Sequence, residues 1–474
     1  MKFDANDIKN INKSLPEYSV CIIGAGAAGI TLATELGKRG YKIALMEAGG
    51  EEYSEKSQNS YKGKVLGDPY FDLDITRLRY FGGSTNHWQG WCRSFEKIDF
   101  ERDYLDEHYS WPINKKDISS YLDEACKILE IENNFEEENL DNINQIKKIN
   151  FQFSPPVLFG PKYYNFFQNS ENVDLFLNSN LIEIEGTKTK VKSAIFSNYS
   201  GDKININAKI FVFAMGGLEN SRFLLWFSEK YGNKFFDNST PIGKYWMEHP
   251  HFRLGEAIVE KKFSKHMFYS TENKAQKNNG IMGCGFRLIM YPHSELKKKI
   301  IQLMCVAPKL GKKIAELAEK NLLCSVQFRA AWEQAPNVKN KITLGDSKDQ
   351  FGIPRINLNW KKRKLDRQTI KKSAEFFNDW LIKNDNGRIR LDSWLLKNED
   401  YPPDDELGGH HHMGGTRMFK NNKYGVVDAN CKLYGSQNMF AAGSSIFTTG
   451  GHNNPTLPIL QFTLRLRDHL ISIL

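Results

Sequence analysis

Short apolar runs alternate with segments of helical periodicity in the N-terminal part of the chain. Residues 19–23 read SVCII, residues 30–40 carry apolar positions at helical spacing, and residues 41–46 read YKIALM. Uninterrupted apolar runs of this length, rich in β-branched residues, are typical of parallel strands buried on both faces. The pattern therefore predicts an N-terminal β-α-β unit, and KIFVFA at 209–214 predicts a further strand that returns to the same sheet.

Further along, the pattern changes to alternating strands and amphipathic helices. A meander is predicted at 173–177, 181–185 and 191–196, while the acidic, Asn-rich residues 133–148 predict an exposed loop or short helix. From residue 240 the character indicates a second domain, an antiparallel sheet with helices. The remaining predicted elements along the chain are strands at 341–344, 356–360 and 438–442, and helices at 118–129, 310–323, 367–382 and 456–474.

The β-α-β unit contains Gly24-Ala25-Gly26-Ala27-Ala28-Gly29 between its first strand and helix. Gly24 permits the tight turn, Gly26 lets the backbone approach a pyrophosphate, and Gly29 allows close packing of helix on strand. Glu47 ends the second strand, where an acid accepts a hydrogen bond from a ribose hydroxyl. The order strand, GxGxxG, helix, strand and acid makes this signal more specific than GxGxxG alone. The acid disfavours NADP but leaves NAD and FAD open.

Composition excludes several classes of function. The 474 residues carry a net charge of +9, but Lys and Arg are spread along the chain without a nucleic-acid-binding module. The seven cysteines form no CxxC pair, which argues against structural zinc and a disulfide framework. No apolar run approaches the roughly 18 residues of a spanning helix, so no transmembrane segment is predicted. The polar N-terminus lacks a signal peptide, and we expect a cytoplasmic protein.

A second glycine cluster lies at residues 80–92, YFGGSTNHWQGWC. Gly82 and Gly83 predict a loop whose backbone approaches a second part of a cofactor. From the sequence alone, His87 is interpreted as a buried histidine with a satisfied hydrogen bond. His249 and His251, which flank a proline, are interpreted as structural polar residues, because their spacing is poor for metal binding.

The most unusual chemistry lies near the C-terminus, in ELGGHHHMGGTRM at 406–418 and GGHNNPTL at 450–457. Three adjacent histidines point in different directions and lack a carboxylate at ligand spacing, so we predict no metal site. Gly414-Gly415 predicts a backbone that passes close to something flat. Pro455 opens the last helix, so Asn454 is either a site residue or merely its N-cap.

These motifs, in this order and spacing, resemble the glucose–methanol–choline (GMC) flavoprotein oxidoreductases over nearly the whole chain. The closest similarity within the family is to pyranose oxidases and related sugar dehydrogenases. The resemblance implies an α/β fold in which a Rossmann-like FAD-binding domain, of the type shared with p-hydroxybenzoate hydroxylase, joins a substrate domain on an antiparallel sheet. The FAD-binding domain is then predicted at 18–95, 173–250 and 425–474, and the substrate-binding domain with its connections at 96–172 and 251–424.

The resemblance also implies oxidation of a CH–OH group by hydride transfer to FAD, with a sugar or sugar-derived alcohol as substrate and an electron acceptor that stays open. Aligning the family's His and Met positions on Met418 places the catalytic base at His411 and its partner at Asn454; a shift of one residue selects His412. Some relatives attach FAD covalently at the position of His87, but here we expect non-covalent binding. The cofactor residues carried over are Gly24, Gly26, Ala27, Gly29, Glu47, Gly82, Gly83, Ser84, Asn86, His87, Ile182, Ala214, Gly216, Asn220, Gly443, Ser444, Asn454, Pro455 and Thr456.

Other functions compete with this interpretation. A flavin monooxygenase would need a Gly-Asp-Ala run in the C-terminal third, which the sequence lacks. A family member with non-oxidative, lyase-like chemistry, an alcohol dehydrogenase for a non-sugar substrate, and a cofactor-binding module without catalysis stay open. Whether oxygen reoxidises the flavin also stays open, as does the oligomeric state.

Overall fold

The computed structural model describes residues 1–7, 15–140, 145–260, 267–290, 303, 306–311, 313–314, 324–403 and 405–474. The strands, in chain order, are β1 (Lys2–Asp4), β2 (Tyr18–Ile23), β3 (Ile43–Met46), β4 (Lys64–Gly67), β5 (Trp91–Cys92), β6 (Glu137–Asn139), β7 (Ile146–Ile149), β8 (Gln152–Phe153), β9 (Val173–Leu177), β10 (Asn180–Thr187), β11 (Lys190–Ser197), β12 (Lys203–Phe213), β13 (His251–Val259), β14 (Phe268–Thr271), β15 (Cys284–Met290), β16 (Cys324–Trp332), β17 (Lys341–Lys348), β18 (Pro354–Trp360), β19 (Gly387–Leu391) and β20 (Met439–Ala441).

The helices are α1 (Ala27–Gly37), α2 (Glu55–Gln58), α3 (Lys97–Phe100), α4 (Lys116–Ser119), α5 (Leu122–Leu129), α6 (Phe159–Asn169), α7 (Gly216–Tyr231), α8 (Asn273–Asn279), α9 (Lys364–Lys383), α10 (Ser393–Leu396) and α11 (Thr456–Ile473). Short 3-10 turns include Gly83–Asn86 and Ser444–Ile446. Within the described part of the chain, no helix is both long and apolar enough to cross a bilayer.

A largely parallel sheet organises the nucleotide side of the molecule. Its order is β1-β9-β3-β2-β12-β11-β10, and β20 pairs with β12. Strands β1, β9, β3, β2, β12 and β20 run parallel. Apolar residues of β2, β3, β9, β20 and the second half of β12 are buried in the largest hydrophobic core. The predicted N-terminal β-α-β unit is present. Its two strands consist of apolar runs, which allow both faces of each strand to be buried. Helix α11 packs against α1.

The predicted meander is partly wrong. Strand β9 joins the parallel sheet between β3 and β1, and the antiparallel meander consists of β10, β11 and β12. The run predicted at 209–214 is the end of β12, whose first half alternates buried and exposed residues. This one strand therefore pairs antiparallel with β11 and parallel with β2.

The second sheet, in the order β19-β13-β16-β15-β14-β7-β6, is antiparallel throughout its described pairings. One face packs on α9, where Phe286, Phe328 and Phe377 stack with ring centroids 5.4–5.6 Å apart. Because side chains alternate along a strand, the residues between these phenylalanines face the opposite way. That opposite face lines the cavity described below.

Several predicted elements differ from the structure. Residues 133–148 contribute β6 and the start of β7 to the antiparallel sheet, so the predicted exposed loop is wrong there. The helix predicted at 118–129 is divided into α4 and α5. The helix predicted at 310–323 lies largely outside the described residues, and the proposed division into two domains stays a prediction.

Candidate active site

The turn between β2 and α1 forms an open cradle at the carboxyl end of the parallel strands. Gly24 has φ +106°, a conformation that glycine adopts without strain. A Cβ on Gly29 would lie 1.8 Å from the carbonyl oxygen of Gly24, so helix and turn pack as closely as predicted. A Cβ on Gly26 would meet no atom within 4 Å, because this residue faces open space. Helix α1 begins there without a side-chain cap, which leaves its first N–H groups for an anion.

Glu47 follows β3 and lies buried beside this cradle. Its two carboxylate oxygens accept hydrogen bonds from the backbone N–H groups of Ala25 and Gly49, each at 2.9 Å. Burial raises the pKa of the Glu47 carboxyl, and these two N–H groups oppose the rise. The remaining lone pairs face the cavity, where they suit the hydroxyls of a ribose.

The second glycine loop closes over the first. Gly82 and Gly83 have φ of +99° and +56°, and a Cβ on Gly83 would lie 3.1 Å from the Cα of Gly26. The loop continues into the 3-10 turn that carries Ser84, which lines the cavity. The backbone of this loop therefore lies close enough to the nucleotide site for the predicted contact with a cofactor.

A continuous cavity of about 730 Å³ runs from this cradle to the C-terminal histidines. A volume of this size is typical of sites for small ligands and cofactors. The predicted residues that line it are Gly24, Gly26, Ala27, Glu47, Gly83, Ser84, His87, Ala214, Gly216, Gly443, Ser444, Asn454, Pro455 and Thr456, together with His411 and His412.

Five predicted cofactor residues do not line the cavity, and Leu181 lines it in place of the predicted Ile182. Asn220 is fully buried and bridges the loops after β12 and β20, through Met215 N at 2.9 Å and Ala442 O at 3.1 Å. Asn86 donates its side-chain amide to the Phe81 carbonyl at 2.9 Å. The remaining such residues are Gly29, Gly82 and Ile182.

The triple-histidine segment is held between two other parts of the chain. Met413 exchanges backbone hydrogen bonds with Met247 at 2.8 and 3.0 Å, and Gly414 N donates to Ser444 O at 3.0 Å. A Cβ on Gly414, which has φ +75°, would lie 2.2 Å from the Tyr245 carbonyl oxygen. Gly414 therefore approaches protein backbone, and a Cβ on Gly415 would lie 2.3 Å from Oγ of Ser221, so the close neighbours of this pair are protein atoms.

His411 presents its ring to the cavity with both nitrogens contacted. Its Nδ1 lies 2.9 Å from Nδ1 of His249, and its Nε2 lies 3.3 Å from Nδ2 of Asn454. The backbone N–H of His411 donates to Oε1 of Glu248 at 2.7 Å, which fixes the loop beneath the ring. Asn454 makes no side-chain cap on α11, so the N-cap interpretation of this residue does not apply.

The neighbouring histidines have different surroundings. His412 Nε2 lies 3.2 Å from the Tyr70 hydroxyl, and its ring packs 5.7 Å from that of Trp246. His410 has φ +54° and places its ring edge-on to Phe71. Although all three residues line the cavity, His411 is the member of the run that contacts Asn454.

Burial keeps the site histidines neutral. Desolvation first, and then the neighbouring histidines, hold the pKa of His411 well below its ordinary value of 6.5. Burial also lowers the pKa of His249 and of His410 to about 4 each. At neutral pH His411 therefore has a lone pair with which to accept a proton.

The sequence interpretation missed the role of His249, which it assigned to structure. The signal was weak: a His-Pro dipeptide in an apolar stretch, preceded by Glu248. Glu248 is buried and accepts hydrogen bonds from the backbone N–H groups of His249, at 2.9 Å, and His411, and from the Tyr70 hydroxyl. Burial raises its pKa to about 7. One carboxyl thus anchors both histidines.

His87 also differs from its sequence interpretation, since it lines the cavity and its side chain is exposed. No hydrogen bond of its ring is found across the described residues. His251 and His452 complete the lining, and burial lowers the pKa of each to about 3.

The C-terminal part of the chain, which carries the histidines of the site, is similar to a known protein family. Residues 336–463 match the family model of GMC oxidoreductases. This segment carries the triple histidine, Asn454 and the start of α11. Over this segment the chain is similar to the GMC oxidoreductases.

Three known proteins are similar over almost the whole chain. The chain is 23% identical over 549 aligned residues to the 2-methyl-1,2-propanediol dehydrogenase of Mycolicibacterium austroafricanum, covering 96% of each chain. Pyridoxine 4-oxidase from Mesorbium loti is similar in fold, with TM-score 0.61, 14% identity, and coverage of 96% of this chain and 99% of that one. Formate oxidase has TM-score 0.57 and 16% identity, with coverage of 96% and 98%.

The residues present fit FAD. Gly26 and Gly216 face open space in which a Cβ would meet no neighbour within 4 Å, and Gly443 is nearly as open. The uncapped start of α1 suits a pyrophosphate, and buried Glu47 suits the ribose. The same cavity continues to His411, so it would join a cofactor held in this cradle to the histidine.

Proposed function

We propose that this protein oxidises the CH–OH group of a sugar or sugar-derived alcohol, with His411 as the catalytic base and Asn454 as its partner. The observation that carries the proposal is the 3.3 Å contact between His411 Nε2 and Asn454 Nδ2 at the cavity wall. An alcohol oxygen placed beside both groups would be held by the amide and deprotonated by the imidazole.

Bound FAD would supply the hydride acceptor for this reaction. His411 takes the hydroxyl proton at Nε2, which favours departure of the hydride from carbon. Asn454 donates to the same oxygen without competing for the proton. A positioned base of this kind contributes roughly two to four orders of magnitude in rate. Cavity walls that hold the alcohol in one orientation supply much of the rest.

His412 is the register alternative, and its surroundings suit it less well. Its Nε2 already lies at the Tyr70 hydroxyl, which is itself bonded to Glu248. The contacts of His411 therefore support the alignment on Met418. The cofactor roles of the cradle residues and the two predicted domains belong to the same proposal.

An anaerobic screen of sugars and sugar alcohols tests the proposal, with the loss of the oxidised flavin absorbance as the signal. His411→Ala should keep FAD and slow flavin reduction about 10²- to 10⁴-fold, while His412→Ala should slow it less than tenfold. The opposite ranking of the two variants would show that the register is shifted by one. A flavin that no alcohol reduces would instead favour the lyase-like alternative.

A further inference from the structure

A row of three arginines crosses the antiparallel sheet at the substrate end of the cavity. Arg287 of β15 lies opposite Arg329 of β16, and Arg329 lies opposite Arg253 of β13. Like charges directly across a strand pair are destabilising. Each guanidinium therefore needs a negative partner, either from the chain or from a ligand.

Two of the three arginines have such a partner within the protein. The Nε of Arg253 lies 3.0 Å from Oδ2 of Asp392. Arg329 contacts both the side chain of Asp405, at 3.1 Å, and its backbone carbonyl, at 2.7 Å. These pairs neutralise one end of the row.

Arg287 is different. Among the residues that the structure describes, it has no ion pair and no hydrogen bond, and its Nε is buried without a partner. Its guanidinium instead lies over the ring of Trp91, 5.1 Å from the centroid. Burial and nearby Arg329 lower the pKa of Arg287, which is the direction expected of a cation without an anion.

The position of Arg287 links this charge to the candidate active site. Arg287, Arg329 and His411 line the same cavity. His251 interacts with both regions. After burial, the charges of Arg287 and Arg329 lower the pKa of His251. His251 in turn is one of the groups that lower the pKa of His411. Aromatic residues line the cavity around Arg287: Trp91 lies under its guanidinium and packs against Phe151 and Phe268.

No acid described in the cavity lining lies at this end. The lining carboxylates are Glu47, in the nucleotide cradle, and Glu219. Glu219 is already paired with Arg77 at 2.9 Å and Arg222 at 3.0 Å. The substrate end is therefore positively charged and enclosed by aromatic rings, a setting in which a guanidinium binds a carboxylate or phosphate strongly.

We propose that the alcohol oxidised here carries an anionic group, a carboxylate or a phosphate ester, which pairs with Arg287 while its CH–OH group reaches His411. This substrate class rests on the proposed function of His411 and Asn454. It narrows the predicted sugar-derived alcohols to sugar acids or sugar phosphates.

A binding experiment tests the anion site without turnover. Benzoate and its neutral isostere benzamide are titrated into the FAD-loaded protein at constant ionic strength, with tryptophan fluorescence and flavin absorbance as signals. Benzoate should bind at least tenfold more tightly than benzamide. Arg287→Met should abolish the difference, and Arg287→Lys should keep part of it. Arg253→Met, in the same row but outside the cavity lining, should retain the full difference.

Equal affinities for benzoate and benzamide in the unaltered protein would overturn the proposal, as would an unchanged preference in Arg287→Met. Inorganic phosphate distinguishes the two anion sources. A lower dissociation constant for phosphate than for benzoate indicates that the substrate is a phosphate ester, and a lower one for benzoate indicates a carboxylate. If benzoate binds through Arg287 but no alcohol reduces the flavin, the proposed oxidation fails and the anion site stands. If only neutral alcohols bind and react, the anion site fails alone.

Discussion

The Nδ1 atoms of His249 and His411 lie 2.9 Å apart, so one imidazole donates to the other. The amide of Asn454 decides the direction, because its Nδ2 lies 3.3 Å from Nε2 of His411 and can only donate. His411 therefore accepts at Nε2 and carries its proton on Nδ1, where it donates to His249. This is the tautomer that a base acting through Nε2 requires.

His249 is accordingly expected to be a positioning residue. His249→Leu removes the acceptor for the Nδ1 proton of His411 and leaves that group buried without a partner. An unsatisfied buried donor costs about 1–3 kcal/mol, and the same loss in the stabilisation of the transition state should slow flavin reduction about 5- to 160-fold. Anaerobic stopped-flow measurement of flavin absorbance checks this, with the FAD content of the variant recorded alongside.

The matched variant is His249→Gln, whose side-chain carbonyl can still accept from His411 Nδ1. It should recover at least part of the rate that His249→Leu loses. Equal rates in both variants, at equal FAD content and thermal stability, would contradict the assigned direction of the hydrogen bond.

Asn454→Ala should separate a site role from a capping role. The side chain of Asn454 contacts His411 and makes no cap on the helix α11. Removing an N-cap costs about 1 kcal/mol, but here we expect a smaller change in the free energy of unfolding and at least a tenfold loss of flavin reduction rate. Urea unfolding and stopped-flow kinetics measure the two quantities. A stability loss near the capping value with an unchanged rate would favour the cap.

The nucleotide cradle could be predicted from sequence because its signals are local. The run SVCII, the glycines at 24, 26 and 29, and Glu47 lie within about thirty residues, and each requirement acts between near neighbours. The apolar runs predict strands buried on both faces, which the parallel sheet contains. The pairing of β9 with β3 was not visible, because a five-residue strand carries no mark of its partner.

The contacts around His411 could be predicted only in part, because they join distant segments. The family pattern pointed to Asn454, 43 residues away. His249, 162 residues away, was interpreted as structural. Nor could the arginine row be seen, since Arg253, Arg287 and Arg329 become neighbours only through strand register.

Glu47 should be needed for cofactor affinity. Glu47→Gln keeps the size of the side chain but replaces a charged acceptor, and hydrogen bonds to charged groups contribute about 1.5–3 kcal/mol. We expect FAD to bind the variant apoprotein about 10- to 100-fold more weakly, measured by quenching of FAD fluorescence. Asp366→Asn is the control, because that buried carboxyl bonds Trp332 outside the cavity lining and its loss should leave FAD affinity within twofold.

His87 is expected to leave FAD non-covalently bound. It lines the cavity with an exposed side chain, and FAD contacts are available from the glycine cradle without it. Acid precipitation should release the yellow colour into the supernatant, and His87→Ala should retain FAD. Colour that stays in the pellet of the unaltered protein but not of His87→Ala would establish a covalent link.

The pH dependence of kcat/KM should report the depressed pKa of His411. Because burial holds this pKa well below 6.5, the neutral base persists as the pH falls through that value. We expect no loss of activity from His411 protonation between pH 8 and 6.5, and a single acid limb at lower pH. Steady-state rates with an alcohol identified in the anaerobic screen measure this profile.

A second group titrates nearby and needs its own control. The Glu248 carboxyl, whose pKa burial raises to about 7, accepts the backbone N–H of His411, so its ionisation can shift the ring. Glu248→Gln keeps an acceptor for that N–H but cannot ionise, and any inflection near pH 7 should disappear in this variant. An acid limb at or above pH 6.5 that persists in Glu248→Gln would mean that His411 is not held neutral by burial. His411 would then titrate as an exposed histidine does. Its contacts with His249 and Asn454 would have to break in solution to admit water to the ring.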